Sequence, residues 1–156
     1  MTVCENIRQQ LAARFPGIEE RVKIPRPRRI FVEAAADEFR KIFEFAINEL
    51  GFNHLCTITG VDERVNFSLI YHLAKENGVL LNIKISVSHD APQADSIIGY
   101  FPGAEIYERE LVDLFGIQIK GLPEGLRYPL ADDWPKDEYP LRKDWKPKTA
   151  QAQEGK

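Results

Sequence analysis

The sequence predicts an α+β fold: an antiparallel or mixed sheet packed with helices, followed by a signature helix and an extended C-terminal tail rich in proline and aromatic residues. Three observations carry this expectation. Residues 34–50 place Phe39, Ile42, Phe43, Ala46, Ile47 and Leu50 on one helical face, and such a face needs a sheet to cover. Three β-rich runs follow at 54–61, 65–74 and 79–88, joined by Asp62-Glu63-Arg64 and by the hairpin-like Lys75-Glu76-Asn77-Gly78. Connections this short make antiparallel neighbours. Beyond Gly116 the periodicity stops and prolines take over.

The chain has 156 residues, 44% of them hydrophobic, which suits one domain with a proper core plus a tail. Residues 1–117 are read as the α+β domain, 118–147 as an extended partner-binding tail and 148–156 as a frayed polar end. With 21 basic and 24 acidic residues the net charge is −3, so no positive excess exists to release counterions from a nucleic acid. The two cysteines, Cys4 and Cys56, lie far apart and form no CxxC, which suggests neither a disulfide framework nor an iron–sulfur site. Apolar runs are strand-sized and fall short of the ~18 residues of a membrane span.

In chain order, residues 3–15 form an amphipathic helix through Ile7, Leu11, Ala12 and Phe15, ended by Pro16-Gly17. Residues 19–33 follow as two extended pieces, because Pro25 and Pro27 forbid a helix. This segment holds the basic cluster Arg21, Lys23, Arg26, Arg28 and Arg29, read as a solvated sheet edge, an acidic-partner contact or, lacking interleaved aromatics, a poor nucleic-acid patch. In 79–88, Leu81, Ile83, Ile85 and Val87 alternate with Leu80, Asn82, Lys84 and Ser86, so one sheet face is apolar and the other mixed. Residues 90–96 read as a loop.

The stretch Gly103 to Ile117, GAEIYERELVDLFGI, is a short helix with acidic residues in its first turn and Gly116 as its stop. Ala104, Tyr107, Leu111, Val112, Leu114 and Phe115 gather on one arc, with Glu108 inside it, whereas Ile106 falls among Arg109, Glu110 and Asp113. Glu108 is either a first-turn carboxylate turned to water or, with Arg109, Glu110 and Asp113, part of a polar seam against a second surface. In the second reading Arg109 and Asp113 pair at i, i+4.

Half of the ten prolines lie at 123, 129, 135, 140 and 147. Between them stand Tyr128, Trp134, Tyr139 and Trp145, including both tryptophans. A disordered tail is poor in such rings. Their burial alone does not offset the entropy of ordering the segment, so the tail is expected to lie along another subunit. The alternative is a tail that wraps its own domain.

The signature helix and tail resemble the 30 kDa subunit of respiratory complex I and the equivalent small subunit of energy-converting membrane-bound [NiFe]-hydrogenases and formate hydrogenlyases. The likeness rests on Phe52-Asn53-His54-Leu55 through Gly60-Val61-Asp62, on Tyr107-Glu108-Arg109-Glu110 with Asp113-Leu114-Phe115-Gly116-Ile117, and on Tyr139-Pro140-Leu141-Arg142-Lys143-Asp144-Trp145. It implies a chain with no catalytic residue, cofactor or metal of its own, packed on a large subunit that carries the quinone site or the [NiFe] centre. An iron–sulfur subunit of the same complex is also expected as a partner, and iron–sulfur clusters are expected in the partners. Membrane contact comes only through the complex, at the cytoplasmic inner face. It further implies that Glu108, Arg109, Glu110, Asp113, Arg142, Lys143 and Asp144 face the large subunit, with the tail rings Tyr128, Trp134, Tyr139 and Trp145 beside them. Gly121-Leu122-Pro123 replaces the common Gly-His-Pro, and Asp133-Trp134-Pro135 is more like the hydrogenase branch.

An enzyme in its own right is the competing class. Cys4, Cys56, His54, His72 and His89 are its candidate groups, with His54 and Cys56 on one strand face, but no spacing supplies a third ligand or an orienting carboxylate.

Overall fold

The computed structural model describes residues 1–147, so the expected frayed end at 148–156 lies outside the described residues. Helix α1 (Val3–Arg14) opens with a capping box: Thr2 Oγ1 accepts from the Glu5 amide at 3.2 Å, and the Glu5 carboxylate accepts from the Thr2 amide at 2.6 Å. Strands β1 (Val22–Arg26) and β2 (Arg29–Ala34) form a hairpin, helix α2 runs Phe39–Asn48, and β3 (His54–Asp62), β4 (Asn66–Lys75) and β5 (Val79–Ser88) follow. A short β6 (Gln93–Asp95) precedes α3 (Ala104–Phe115), and β7 (Gln118–Lys120) leads into the tail.

The five long strands lie in the order β1-β2-β5-β4-β3, antiparallel except for β2 against β5, so the sheet is mixed, as expected. The parallel pairing runs to Ala34↔Ile85 and keeps residues through Ala34 extended, which is why α2 starts at Phe39 and not at 34. The segment read as a loop at 90–96 instead contains β6, paired in parallel with β7.

The inner sheet face holds Ile30, Val32, Phe67, Leu69, Tyr71, Leu73, Leu81, Ile83 and Ile85, all buried. Helix α2 packs there through Phe39 and Phe43 against the Tyr71 ring, with centroids 4.5 and 5.9 Å apart. Helix α3 packs at Gly60. A Cβ on that residue would stand 2.7 Å from Phe115 and 2.8 Å from Leu111, so only a glycine lets the helix come this close. Burial of such a face, at about 25 cal/mol per Å² of apolar area, is the main stabilising term.

The opposite face matches the mixed alternation. A polar chain crosses it: Thr59 donates to His72 Nε2 at 2.9 Å, His72 Nδ1 donates to Asn82 Oδ1 at 2.6 Å, and the Asn82 amide donates to the Ile30 carbonyl at 2.9 Å. That proton placement follows from the Asn82 amide orientation. His72 is thus engaged within the sheet. Cys4 is buried in the core, and a register shift between Leu55 and Thr57 breaks the alternation at Cys56, so His54 and Cys56 do not sit as regular neighbours on one strand face.

Candidate partner interface

The signature helix was expected to show a carboxylate on its apolar arc, and Glu108 is there, only 1% exposed. It faces neither water nor a second surface. Its carboxylate accepts from the Ser96 hydroxyl at 2.6 Å and the Ile97 amide at 2.7 Å, tying the loop before α3 to the helix. Burial raises its pKa, and the two hydrogen bonds oppose that shift. The expectation that Glu108 contacts a partner is therefore corrected: a carboxylate between apolar side chains has to find donors inside the chain.

Asp113 is the second inward carboxylate, 7% exposed. It accepts from Arg127 Nε at 2.8 Å and from the Leu130 amide at 3.0 Å, and Arg127 also donates to the Trp134 carbonyl at 2.7 Å. The expected i, i+4 pair of Arg109 with Asp113 does not form. Arg109 turns one turn back to Glu105 at 2.7 Å and donates to the Pro123 carbonyl at 3.1 Å. Both residues of the expected pair are thus spent on other partners, and both of them on positioning the tail. Val112, placed by periodicity on the apolar arc, is 37% exposed.

At the end of α3, Gly116 adopts φ +69 and stops the helix as expected, and a Cβ there would stand 2.6 Å from the Tyr139 ring. Arg142 lies over that ring, 4.6 Å from its centroid, and 5.3 Å from the Phe67 centroid. Its Nε donates to the Phe115 carbonyl at 2.6 Å, where an unpaired helix-terminal oxygen and the negative end of the helix dipole favour a cation. The Leu141 amide donates to the Leu114 carbonyl at 3.1 Å, and the Lys143 amide to Asp62 Oδ2 at 2.8 Å.

The tail therefore wraps its own domain. Ring burial is not its main anchor: inward carboxylates and the carbonyls at the end of α3 supply the hydrogen bonds. Trp134 and Trp145 are half-buried, 6.0 Å apart, and both indoles donate to Glu138, one to its carbonyl at 2.9 Å and one to its carboxylate at 3.4 Å. Asp62, which closes the first motif with no local sign of a role, accepts from the Arg64 amide at 2.6 Å as well as from Lys143. Burial acts to raise its pKa, but these bonds and nearby His89 hold it below the ordinary carboxyl value. Arg127 and Asp62 had no readable local signal, because both act across the tertiary structure.

What remains outward is Glu110, half-buried, with Tyr128, Lys143 and Asp144 exposed. Beside them Ile106, Val112, Leu126 and Leu141 are 53%, 37%, 86% and 51% exposed. The basic cluster is partly neutralised: Arg21 pairs with Glu38 at 2.6 Å and Lys23 with Glu33 at 3.8 Å. Arg26 and Arg28 line a groove of about 810 Å³ between α1 and the β1–β2 hairpin. Among the described residues no helix is long and apolar enough to cross a membrane.

The comparisons with known proteins agree with this geometry. The chain is 34% identical over 140 residues to the C subunit of F(420)H(2) dehydrogenase from Methanosarcina mazei, covering 88% of each chain. It is 30% identical over 148 residues to the C subunit of NADH-quinone oxidoreductase from Moorella thermoacetica, covering 93% of this chain and 97% of that one. With formate hydrogenlyase subunit 5 of Escherichia coli it shares 30% identity over 135 residues, 83% of this chain but 24% of the relative. Among solved structures, a chain of the archaeal membrane-bound sulfane sulfur reductase superposes with a TM-score of 0.80 at 29% identity, covering 91% of this chain and 85% of that one. The trypsin-resistant fragment of Nqo5 shares the fold, with a TM-score of 0.67 at 21% identity, covering 80% of this chain and 100% of the fragment. The family model described as the 30 Kd subunit of the respiratory-chain NADH dehydrogenase matches residues 32–151. The chain accordingly belongs to the 30 kDa subunit family of respiratory-chain NADH dehydrogenases.

Proposed function

We propose that this chain is a non-catalytic subunit of a membrane-bound, ion-pumping redox complex of the complex I type, and that the face made by α3 and the tail packs on the large subunit of that complex. The observation that carries the reading is the distribution of exposed apolar side chains. Of the ten large ones exposed among the described residues, five, Ile106, Val112, Leu126, Tyr128 and Leu141, lie on α3 or the tail. They are interspersed with Glu110, Lys143 and Asp144, an apolar patch with a polar rim of the kind that protein interfaces use. Arg109, Asp113, Arg142 and the rings of Tyr139, Trp134 and Trp145 shape this face from beneath. Glu108 supports it from within the core.

In this reading the redox centres, a quinone site or a [NiFe] centre together with iron–sulfur clusters, belong to partner subunits. The chain sits peripherally, on the cytoplasmic side of the membrane. A dehydrogenase-type complex is supported by the 34% identity with the F(420)H(2) dehydrogenase relative along 88% of both chains. The [NiFe]-hydrogenase reading is supported by Asp133-Trp134-Pro135 and by the 30% identity with formate hydrogenlyase subunit 5.

The test is affinity purification of the tagged protein from gently solubilised native membranes, with mass spectrometry and activity assays. A large subunit is expected to co-purify, and its loss on replacing Val112 and Leu141 by Asp, with the fold retained, would locate the interface. Quinone reduction without nickel identifies the dehydrogenase branch; nickel and hydrogen evolution identify the hydrogenase branch. Recovery from cytosol without partners would refute the proposal.

A further inference from the structure

We propose that Asp62, His89 and Asp144 form a binding site for a first-row divalent cation, Zn²⁺ in the first instance, that staples the tail to the end of the sheet. The three residues come from separate parts of the chain: the last position of β3, the residue after β5, and the tail. Their candidate ligand atoms all lie within 4.8 Å of one another.

The three groups are held to different degrees. Asp62 is 4% exposed, and its two oxygens are oriented by the Arg64 amide at 2.6 Å and the Lys143 amide at 2.8 Å, the kind of outer hydrogen bonding that fixes a metal-binding carboxylate. The His89 ring stacks on Phe67, with centroids 4.4 Å apart and planes at 18°, and this sets the direction of Nε2. That nitrogen stands 3.5 Å from Asp62 Oδ2. The separation exceeds the ~2.7–2.9 Å of a charge-assisted hydrogen bond. It is near the roughly 3.3–3.4 Å edge of a tetrahedron whose ligands lie about 2.0–2.1 Å from zinc. Asp144 is exposed and makes no hydrogen bond or ion pair among the described residues, so its side chain is free to swing in and complete the set.

Two carboxylates and a neutral imidazole balance the charge of a divalent ion. One imidazole nitrogen in the set favours zinc over calcium and magnesium, which prefer all-oxygen shells. Three protein ligands leave room for a water. Because Asp144 reaches the other two only when the tail is docked, the cation binds the docked state and makes docking depend on its concentration.

The experiment uses the full untagged chain, stripped by dialysis against a chelator and titrated with zinc chloride in a calorimeter. Tail cleavage by a non-specific protease is followed in parallel. One equivalent of zinc is expected to bind, at least tenfold more weakly in His89→Gln and Asp144→Asn, and calcium and magnesium at least tenfold more weakly than zinc. Tail cleavage in the parent chain falls in proportion to 1 + [Zn]/Kd, about 100-fold at 100 times Kd, and not in Asp144→Asn. The proposal is overturned by an absence of zinc binding or by unchanged affinity in Asp144→Asn, which would place any bound zinc elsewhere, as at His54 or Cys56. Calcium binding as tight as zinc overturns it too, as does tail protection indifferent to the metal, which would leave His89 as a plain cation between two carboxylates.

Discussion

Replacing Arg142 by alanine separates a tail held by its own domain from one that only rests there. The guanidinium donates to the Phe115 carbonyl at 2.6 Å, a charged hydrogen bond of about 1.5–3 kcal/mol. It also lies 4.6 Å from the Tyr139 ring and 5.3 Å from the Phe67 ring, each contact contributing roughly 0.5–1 kcal/mol. The contributions share one side chain and are not additive, so about 3 kcal/mol is a reasonable total. The amides of Leu141 and Lys143 report the loss directly, because both donate to the domain, to the Leu114 carbonyl and to Asp62. Hydrogen exchange at these two amides is expected to accelerate by about 150-fold, since 1.4 kcal/mol is about tenfold, up to the ceiling set by global unfolding. Amides in β4 and β5 keep their protection. Arg142→Lys retains the charge but loses the planar stack and the Nε geometry, and falls between the two. Acceleration below about threefold at Leu141 and Lys143 would refute the latch. An equal acceleration in the central strands would show that Arg142 stabilises the whole domain instead.

Glu108 makes stability depend on pH. Its folded pKa is raised, chiefly by burial, so the native state binds the proton more tightly than the unfolded chain does. This contribution is fully present below the unfolded carboxyl value of about 4.3 and is lost as pH rises through the folded value. Parent and Glu108→Gln melting curves therefore shift relative to each other, with the parent losing ground as pH rises from acid toward neutral; a difference independent of pH would contradict this. Glu108→Ala leaves the Ile97 amide without an acceptor and should cost about 2–4 kcal/mol in denaturant titration. Gly60→Ala pushes a methyl to 2.7 Å from Phe115, an overpacking of about 1–3 kcal/mol that should lower Tm by several degrees. An unchanged Tm would mean that α3 shifts without cost.

The elements themselves were legible because their signals are local. The period of Phe39, Ile42, Phe43 and Ala46 made α2, and all four are buried. The alternation in 79–88 made β5, and Leu81, Ile83 and Ile85 are buried while Lys84 is half-buried and Ser86 exposed. Gly116 ends α3 because a left-handed residue at that point suits glycine. Family membership was legible for the same reason, since the Tyr107–Ile117 and Tyr139–Trp145 motifs are continuous in sequence.

The candidate interface was less legible. A carboxylate on a helix reads alike whether it meets water, a partner or a buried amide, and only tertiary contacts put Glu108 on Ile97 and Asp113 on Arg127. The tail shows the same limit. Composition correctly marked its rings as too large for a disordered segment, but the donors and acceptors that hold it, Asp62, Asp113 and the carbonyls of Leu114 and Phe115, lie up to 81 residues away. The sequence by itself determined which segments are helix and strand, the mixed character of the outer sheet face, and the family. The tertiary structure decided the parallel pairing of β2 with β5, the β6–β7 pair, and which charges turn inward, because each depends on long-range partners whose hydrogen bonds replace water and leave no periodic trace in the chain.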